Sequence, residues 1–182
     1  MNTKLNITNI GQSGLLIKYF NNTILVDPYL SNSVEELESS KIKRLTEIPF
    51  KPEELNDINL VLITHNHLDH CDPKTIPIIY DNNPNAIFAG PLPVIKLLKK
   101  WGIKNHNILS INDLPFKLDP NLLISSIPAA HPKLTKSSDG TSEAVGWILR
   151  KENKIIYIAG DTSVHQEVLN ALKKYNFIDL AF

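Results

Sequence analysis

Thr64-His65-Asn66-His67-Leu68-Asp69-His70 follows directly on the apolar run Ile58-Asn59-Leu60-Val61-Leu62-Ile63. The run is short, rich in branched aliphatic residues and bounded by polar ones, so it reads as a buried strand. The histidines begin where the strand stops. Residues two apart in extended backbone point the same way, which lets His65 and His67 present two imidazoles to one cation. Beyond them the chain must turn, and Asp69 and His70 then offer a carboxylate and a third imidazole to a second ion nearby.

His-x-His-x-Asp-His after a buried strand resembles the signature of the metallo-β-lactamase superfamily. Two further stretches stand in the order that family requires: Ile127-Pro128-Ala129-Ala130-His131 and Ile155-Ile156-Tyr157-Ile158-Ala159-Gly160-Asp161-Thr162. The resemblance covers nearly the whole chain. It implies an α/β fold of the αββα type, two mixed sheets with outer helices, in one domain over residues 1–182. Taken alone, His131 is a lone histidine in a turn-rich loop; its place in the family order makes it a ligand. The metal set implied is His65, His67, Asp69, His70, His131 and Asp161, with Asp69 and His70 as the catalytic candidates. Asp161 stands where one carboxylate can serve two ions, one oxygen each.

The remaining sequence agrees with a globular enzyme. The chain has 182 residues, 42% of them hydrophobic, enough for one sizeable core. Nineteen basic residues balance nineteen acidic ones. That gives no electrostatic footprint for nucleic acid or an anionic membrane. One cysteine, Cys71, excludes an internal disulfide and is read as a small buried thiol beside the site rather than a thiolate ligand. The N-terminus lacks the apolar segment of a signal peptide, and no run reaches membrane-spanning length. The expected location is the cytoplasm.

The opening reads as an antiparallel meander of Leu5 to Ile10, Gly14 to Phe20 and Thr23 to Asp27, with a turn at Asn21-Asn22. Asp27 ends it before Pro28. The matching family residue supports the metal site without binding the ion, and a metal-bound imidazole usually donates its other N–H to such an acceptor; a turn-forming Asp is the alternative. A short helix is expected over Val34 to Ser40, with Lys41, Lys43 and Arg44 beyond it in a solvated loop. Asp72-Pro73 reads as a helix start, with Pro77 a kink inside that helix. Ala86 to Ala89 is a strand, and Val94, Leu97, Leu98 and Trp101 give the next helix an apolar face that stops at Gly102. Alternating strands and helices there imply a parallel sheet. Strands are expected again over Leu122 to Pro128, Ala144 to Arg150 and Lys154 to Ala159, followed by a helix capped by Ser163 and Gln166. His106 and His165 are read as surface residues.

Two ions held this way imply hydrolysis by a metal-activated water. Zinc suits the imidazole-rich set; manganese or iron suits the shared carboxylate. Gly11-Gln12-Ser13-Gly14, Leu25-Val26-Asp27-Pro28-Tyr29-Leu30, Ala129-Ala130-His131 and Gly160-Asp161-Thr162 are most similar to the branch with ascorbate-6-phosphate lactonases and N-acyl-phosphatidylethanolamine-type phospholipases. A small-molecule substrate is thus expected, a sugar-phosphate lactone before a phosphodiester. The family fold continues past the final strand, Ile178 to Phe182, to one more metal-binding His. The expectation is therefore a fragment, or an exposed sheet edge covered by another copy in a homo-oligomer. A non-catalytic metal-binding remnant is the rival reading, and a nuclease of the same fold the third.

Overall fold

The computed structural model describes residues 5–182. Strands β1 (Leu5–Asn9), β2 (Leu15–Tyr19) and β3 (Asn22–Val26) pair antiparallel as the expected meander. The turn between β2 and β3 falls on Phe20 and Asn21, one residue before the expected place, because Tyr19 pairs with Asn22. Asn22 is buried and its Nδ2 donates to Asp119 Oδ2 at 2.5 Å, which holds it in the strand.

Helix α1 (Ser33–Leu37) is one turn long. Arg44 beyond it is structural: its Nη1 donates to the Tyr29 carbonyl at 2.7 Å and its guanidinium lies 4.5 Å from the Tyr29 ring centre. Lys43 pairs with Glu35. Next come β4 (Leu60–Leu62), α2 (Ile76–Asn82), β5 (Ile87–Gly90), α3 (Leu92–Lys100) and β6 (Ile108–Ser110). Strands β3, β4, β5 and β6 are parallel, so the first sheet runs β1-β2-β3-β4-β5-β6.

Helix α2 starts later than expected. Asp72 is not its cap: Oδ1 accepts from the Lys74 N–H at 3.0 Å and the other oxygen from the Thr75 hydroxyl. Thr75 stands at the cap, which places Pro77 in the first turn, where a missing N–H costs nothing and no kink follows. In α3, Gly102 adopts φ +84° just past the end, as a helix stop requires.

The second half builds β7 (Phe116–Asp119), β8 (Leu122–Pro128), β9 (Val145–Lys151), β10 (Lys154–Ile158), α4 (Gln166–Leu172) and β11 (Leu180–Ala181). The second sheet runs β11-β10-β9-β8-β7, antiparallel except for the parallel pair β10 and β11.

Period-two alternation stacks these parts into four layers. In β4, Leu60 and Leu62 face the second sheet while Val61 faces the helices; Ile24 and Val26 against Leu25 repeat the pattern in β3. Between the sheets, Leu60, Leu62 and Val26 pack with Leu122, Ile124, Trp147 and Ile158. Outside the first sheet, Val61, Ile63 and Phe88 meet Ile76, Ile79, Val94 and Leu98 of α2 and α3. Outside the second, Ile148 and Tyr157 meet Val168 of α4. Strands covered on both faces must read as unbroken apolar runs, which is what Leu60-Val61-Leu62-Ile63 does. The architecture is the expected αββα sandwich of two mixed sheets. Among the described residues no helix is long and apolar enough to cross a membrane.

Candidate metal centre

The C-terminal end of β4, the loop after β8 and the loop after β10 reach one rim between the two sheets. Thr64 fastens the first to the second sheet, its carbonyl accepting from the Val145 N–H at 3.0 Å. The other two loops are tied to each other: the Ala130 N–H donates to Thr162 Oγ1 at 3.0 Å, and the Ser163 N–H to the Ala130 carbonyl at 2.7 Å. Ser163 Oγ donates to the carbonyls of Ala130 and Pro132, so it is not the cap expected for α4. His165 takes that place, its Nδ1 accepting from the Glu167 N–H at 3.2 Å. His165 is thus a structural cap, and His106 is exposed as expected.

These ties bring together five of the six residues expected as ligands. Nitrogen atoms of His65, His67 and His131 lie within 4.8 Å of one another, and so do ligand atoms of His65, His70 and Asp161. His67 Nδ1 and His131 Nε2 are 3.2 Å apart. Asp161, a member of the second group, links it to the first, with Oδ1 3.4 Å from His70 Nε2 and Oδ2 3.6 Å from His131 Nε2. Asp69 is the outlier: its carboxylate comes within 3.8 Å of His70 Nε2 and joins neither group.

A cation fits this donor set. Nε2 of His65 is buried and has no hydrogen-bond partner, a costly state for a polar atom unless something ligates it. Burial, then the charge of His70, pushes the His65 imidazole down to about 3, so it is a neutral ring with a lone pair to give. His70 goes the other way. Burial opposes its charge, but hydrogen bonds to Asp161 and Asp27 outweigh that and raise it to about 10. The same bond from His70 holds Asp161 down at about 2.

Asp27 lies below the cluster, buried, with Oδ2 2.8 Å from His70 Nδ1 and Oδ1 accepting from the Thr64 N–H at 2.8 Å. It supports a ring and does not face the cation position. Cys71 is fully buried and burial pushes its thiol far up, in keeping with an inert core thiol.

Two contributors had no role in the sequence reading, and a third, Lys133, belongs to the loop Lys133 to Ser142 that it expected beside the metal. Thr64, inside the quoted stretch, hydrogen bonds to Asp27. Gly160 allows the close approach of the Asp161 loop to Thr64. Lys133 lines a small cleft of about 110 Å³ with His65, His67, His131, Thr135 and Glu143. Their positions depend on pairing between distant segments; only the nearness of Lys133 to His131 in the chain was a signal. A separate cavity of about 400 Å³ opens on His70 and Asp161, with Gln12 and Ser13 also lining it. A cavity of about 500 Å³ lined by Tyr19, Phe20, Leu149 and Ile156 contains none of the clustered side chains.

The profile of the family described as Beta-lactamase superfamily domain matches residues 22–182. The chain is 26% identical over 163 residues to N-acyl-phosphatidylethanolamine-hydrolyzing phospholipase D 1 of Caenorhabditis elegans, covering 85% of this chain and 46% of that protein. It is 29% identical over 169 residues to a metal-dependent hydrolase of Pyrococcus abyssi, covering 87% of this chain and 62% of that one. The chain therefore spans from about half to three-fifths of the length of these curated relatives. Among solved structures, Igni18, a metallo hydrolase of Ignicoccus hospitalis, superposes with a TM-score of 0.69 at 23% identity, over 97% of this chain and 69% of that one, a likeness of fold. Since the profile runs through most of the sequence and through every clustered His and Asp, the chain belongs to the metallo-β-lactamase superfamily.

Proposed function

We propose that this chain forms the metal site of a cytoplasmic metal-dependent hydrolase acting on an ester, lactone or phosphoester. The observation that carries the reading is the Asp161 carboxylate set between His70 and His131, beside the unpartnered Nε2 of His65. His65, His67 and His131 would hold one cation, and His70 and Asp161, with Asp69 alongside, a second. Zinc fits the three-imidazole group best; manganese or iron fits the group that includes a carboxylate. A divalent cation held there supplies Lewis acidity, acidifying water and polarising a carbonyl or phosphoryl oxygen.

The protein's own part is orientation and charge. Asp27 fixes the His70 ring through Nδ1, and the Thr162 and Ser163 tethers fix Asp161 relative to His131. Lys133 in the cleft, and Lys96 farther along beside Asn66 and Glu143, give an anionic substrate group two cationic partners. A phosphorylated lactone satisfies both the Lewis-acid site and these lysines. The phosphodiester reading is favoured by the likeness to the phospholipase named above.

The test is metal content and turnover on one preparation. Two equivalents of metal per chain, with hydrolysis of a phosphorylated γ-lactone faster than of bis(p-nitrophenyl) phosphate, is the expected result. The reverse order of rates selects the phosphodiesterase. One equivalent or none, with neither substrate cleaved, leaves a metal-binding remnant and ends the hydrolase reading for this chain.

A further inference from the structure

Thr64 Oγ1 has one proton and three polar neighbours. Asp27 Oδ2 is 2.7 Å away, His65 Nδ1 3.0 Å and His70 Nδ1 3.4 Å. All four side chains are buried, so water does not serve these atoms in place of one another. An ionised carboxylate only accepts, which means the hydroxyl proton goes to Asp27. His70 Nδ1, 2.8 Å from the same carboxylate oxygen, must also carry a proton to bond with it. The Thr64 oxygen then has lone pairs left, and the ring nitrogen within reach that needs an acceptor is His65 Nδ1. That fixes the proton on Nδ1 of His65 and leaves its Nε2 bare, which is the buried atom without a hydrogen-bond partner.

We propose that Thr64 is a positioning residue that extends Asp27 to a second imidazole: Asp27 orients His70 directly and His65 through the Thr64 hydroxyl. One buried carboxylate thereby selects the tautomer of a ring in each of the two cation-binding groups. The geometry around Thr64 is constrained enough to do this. Its N–H donates to Asp27 Oδ1 at 2.8 Å, its carbonyl accepts from Val145 at 3.0 Å, and its side chain fills the space that a side chain on Gly160 would need. The hydroxyl has little freedom to choose other partners. The proposal rests on reading His65 as a ligand, yet its direct readout is a proton position.

The experiment is long-range 1H–15N correlation of the imidazole nitrogens in the metal-free full chain, with metal titration of Thr64→Val and Thr64→Ser. In the wild type His65 is expected to carry its proton on Nδ1. Thr64→Val keeps the shape and removes the hydroxyl; it should move the His65 proton onto Nε2 and weaken zinc binding about 10- to 100-fold, the usual cost of losing a group that orients a ligand. Thr64→Ser should restore both. A wild-type spectrum with the His65 proton on Nε2 overturns the proposal even if the valine variant fails to fold. So does a folded Thr64→Val protein with unchanged tautomer and affinity. A wild type that takes up no metal but shows the Nδ1 proton leaves the relay standing and removes the hydrolase reading, so the two fail separately.

Discussion

Gly160 lies so close to Thr64 that a methyl group placed on it would stand 2.8 Å from Thr64 Cβ, and its φ of +60° is one that side-chain-bearing residues rarely adopt. The loop carrying Asp161 can therefore reach the rim only without a side chain at the preceding position. Gly160→Ala is expected to displace either the Thr64 hydroxyl or the Asp161 carboxylate. Because Asp161 belongs to the cluster and Thr64 supports it, the variant should lose metal affinity by at least tenfold, about 1.4 kcal/mol or more, beside a loss of stability of about 1–3 kcal/mol. Isothermal titration with zinc, beside a thermal melt, checks this; unchanged affinity would show that the loop has room to spare.

His67 is exposed, unlike His65 and His70, so its ring is not part of the core. Its nitrogen nonetheless lies within ligand distance of His65 and His131. His67→Ala should therefore bind metal far more weakly and lose hydrolytic activity with it, while folding stability changes by only about 0.5 kcal/mol. Metal analysis after dialysis and a melt of the metal-free variant separate the two quantities. Retained metal with full activity would remove His67 from the site.

Asn83 has no place in the chemistry but positions the strand that delivers it. It is buried, its Oδ1 accepting from the Ile58 N–H at 2.9 Å and its Nδ2 donating to the carbonyls of Leu55 and Ile79 at 2.8 and 2.9 Å. Asn83→Ala leaves buried backbone groups unpaired at the entry to β4. The expected cost is about 2–4 kcal/mol in urea unfolding, from more than one unsatisfied group at about 1–3 kcal/mol each. A loss below about 0.5 kcal/mol would mean that water replaces the amide.

How far the sequence could be read follows from which of these interactions are local. The Leu60-Val61-Leu62-Ile63 strand and the His and Asp positions were legible because pattern and spacing carry them, and the parallel run from β3 to β6 followed from alternation of strand and helix. Helix starts were less so. Asp72 and Ser163 both look like caps, but Asp72 is engaged by Lys74 and Thr75, and Ser163 bonds across to Ala130 and Pro132. These two partners of Ser163 are 33 and 31 residues away in the chain, and no local signal announces them. Asn22 is similar: a turn residue by composition, it is drawn into β3 by Asp119 on the facing sheet. Asn83 and Thr64 show the same limit inside the site's support.

His65 and His70 are neighbours held in opposite protonation states, and that gives the metal-free chain a definite pH response. His70 is raised to about 10 against an ordinary value of 6.5, so the folded state holds its proton more tightly than the unfolded one. Its contribution to stability is complete below 6.5 and is lost as pH rises through about 10. His65, lowered to about 3 by burial and then by the charge of His70, acts on the other side: the unfolded chain takes up that proton first as pH falls below 6.5, and stability declines toward pH 3. The melting temperature of the metal-free chain should thus peak near pH 6.5 and fall in both directions. The same asymmetry governs uptake of a cation at pH 8, where His65 has no proton on Nε2 to lose and His70 must give up the one on its own Nε2. Titration with zinc in two buffers of different ionisation enthalpy should accordingly report proton release assignable to His70, abolished in His70→Ala. Binding without proton release at pH 8 would show that His70 is already neutral, and that Asp27 and Asp161 do not hold it charged.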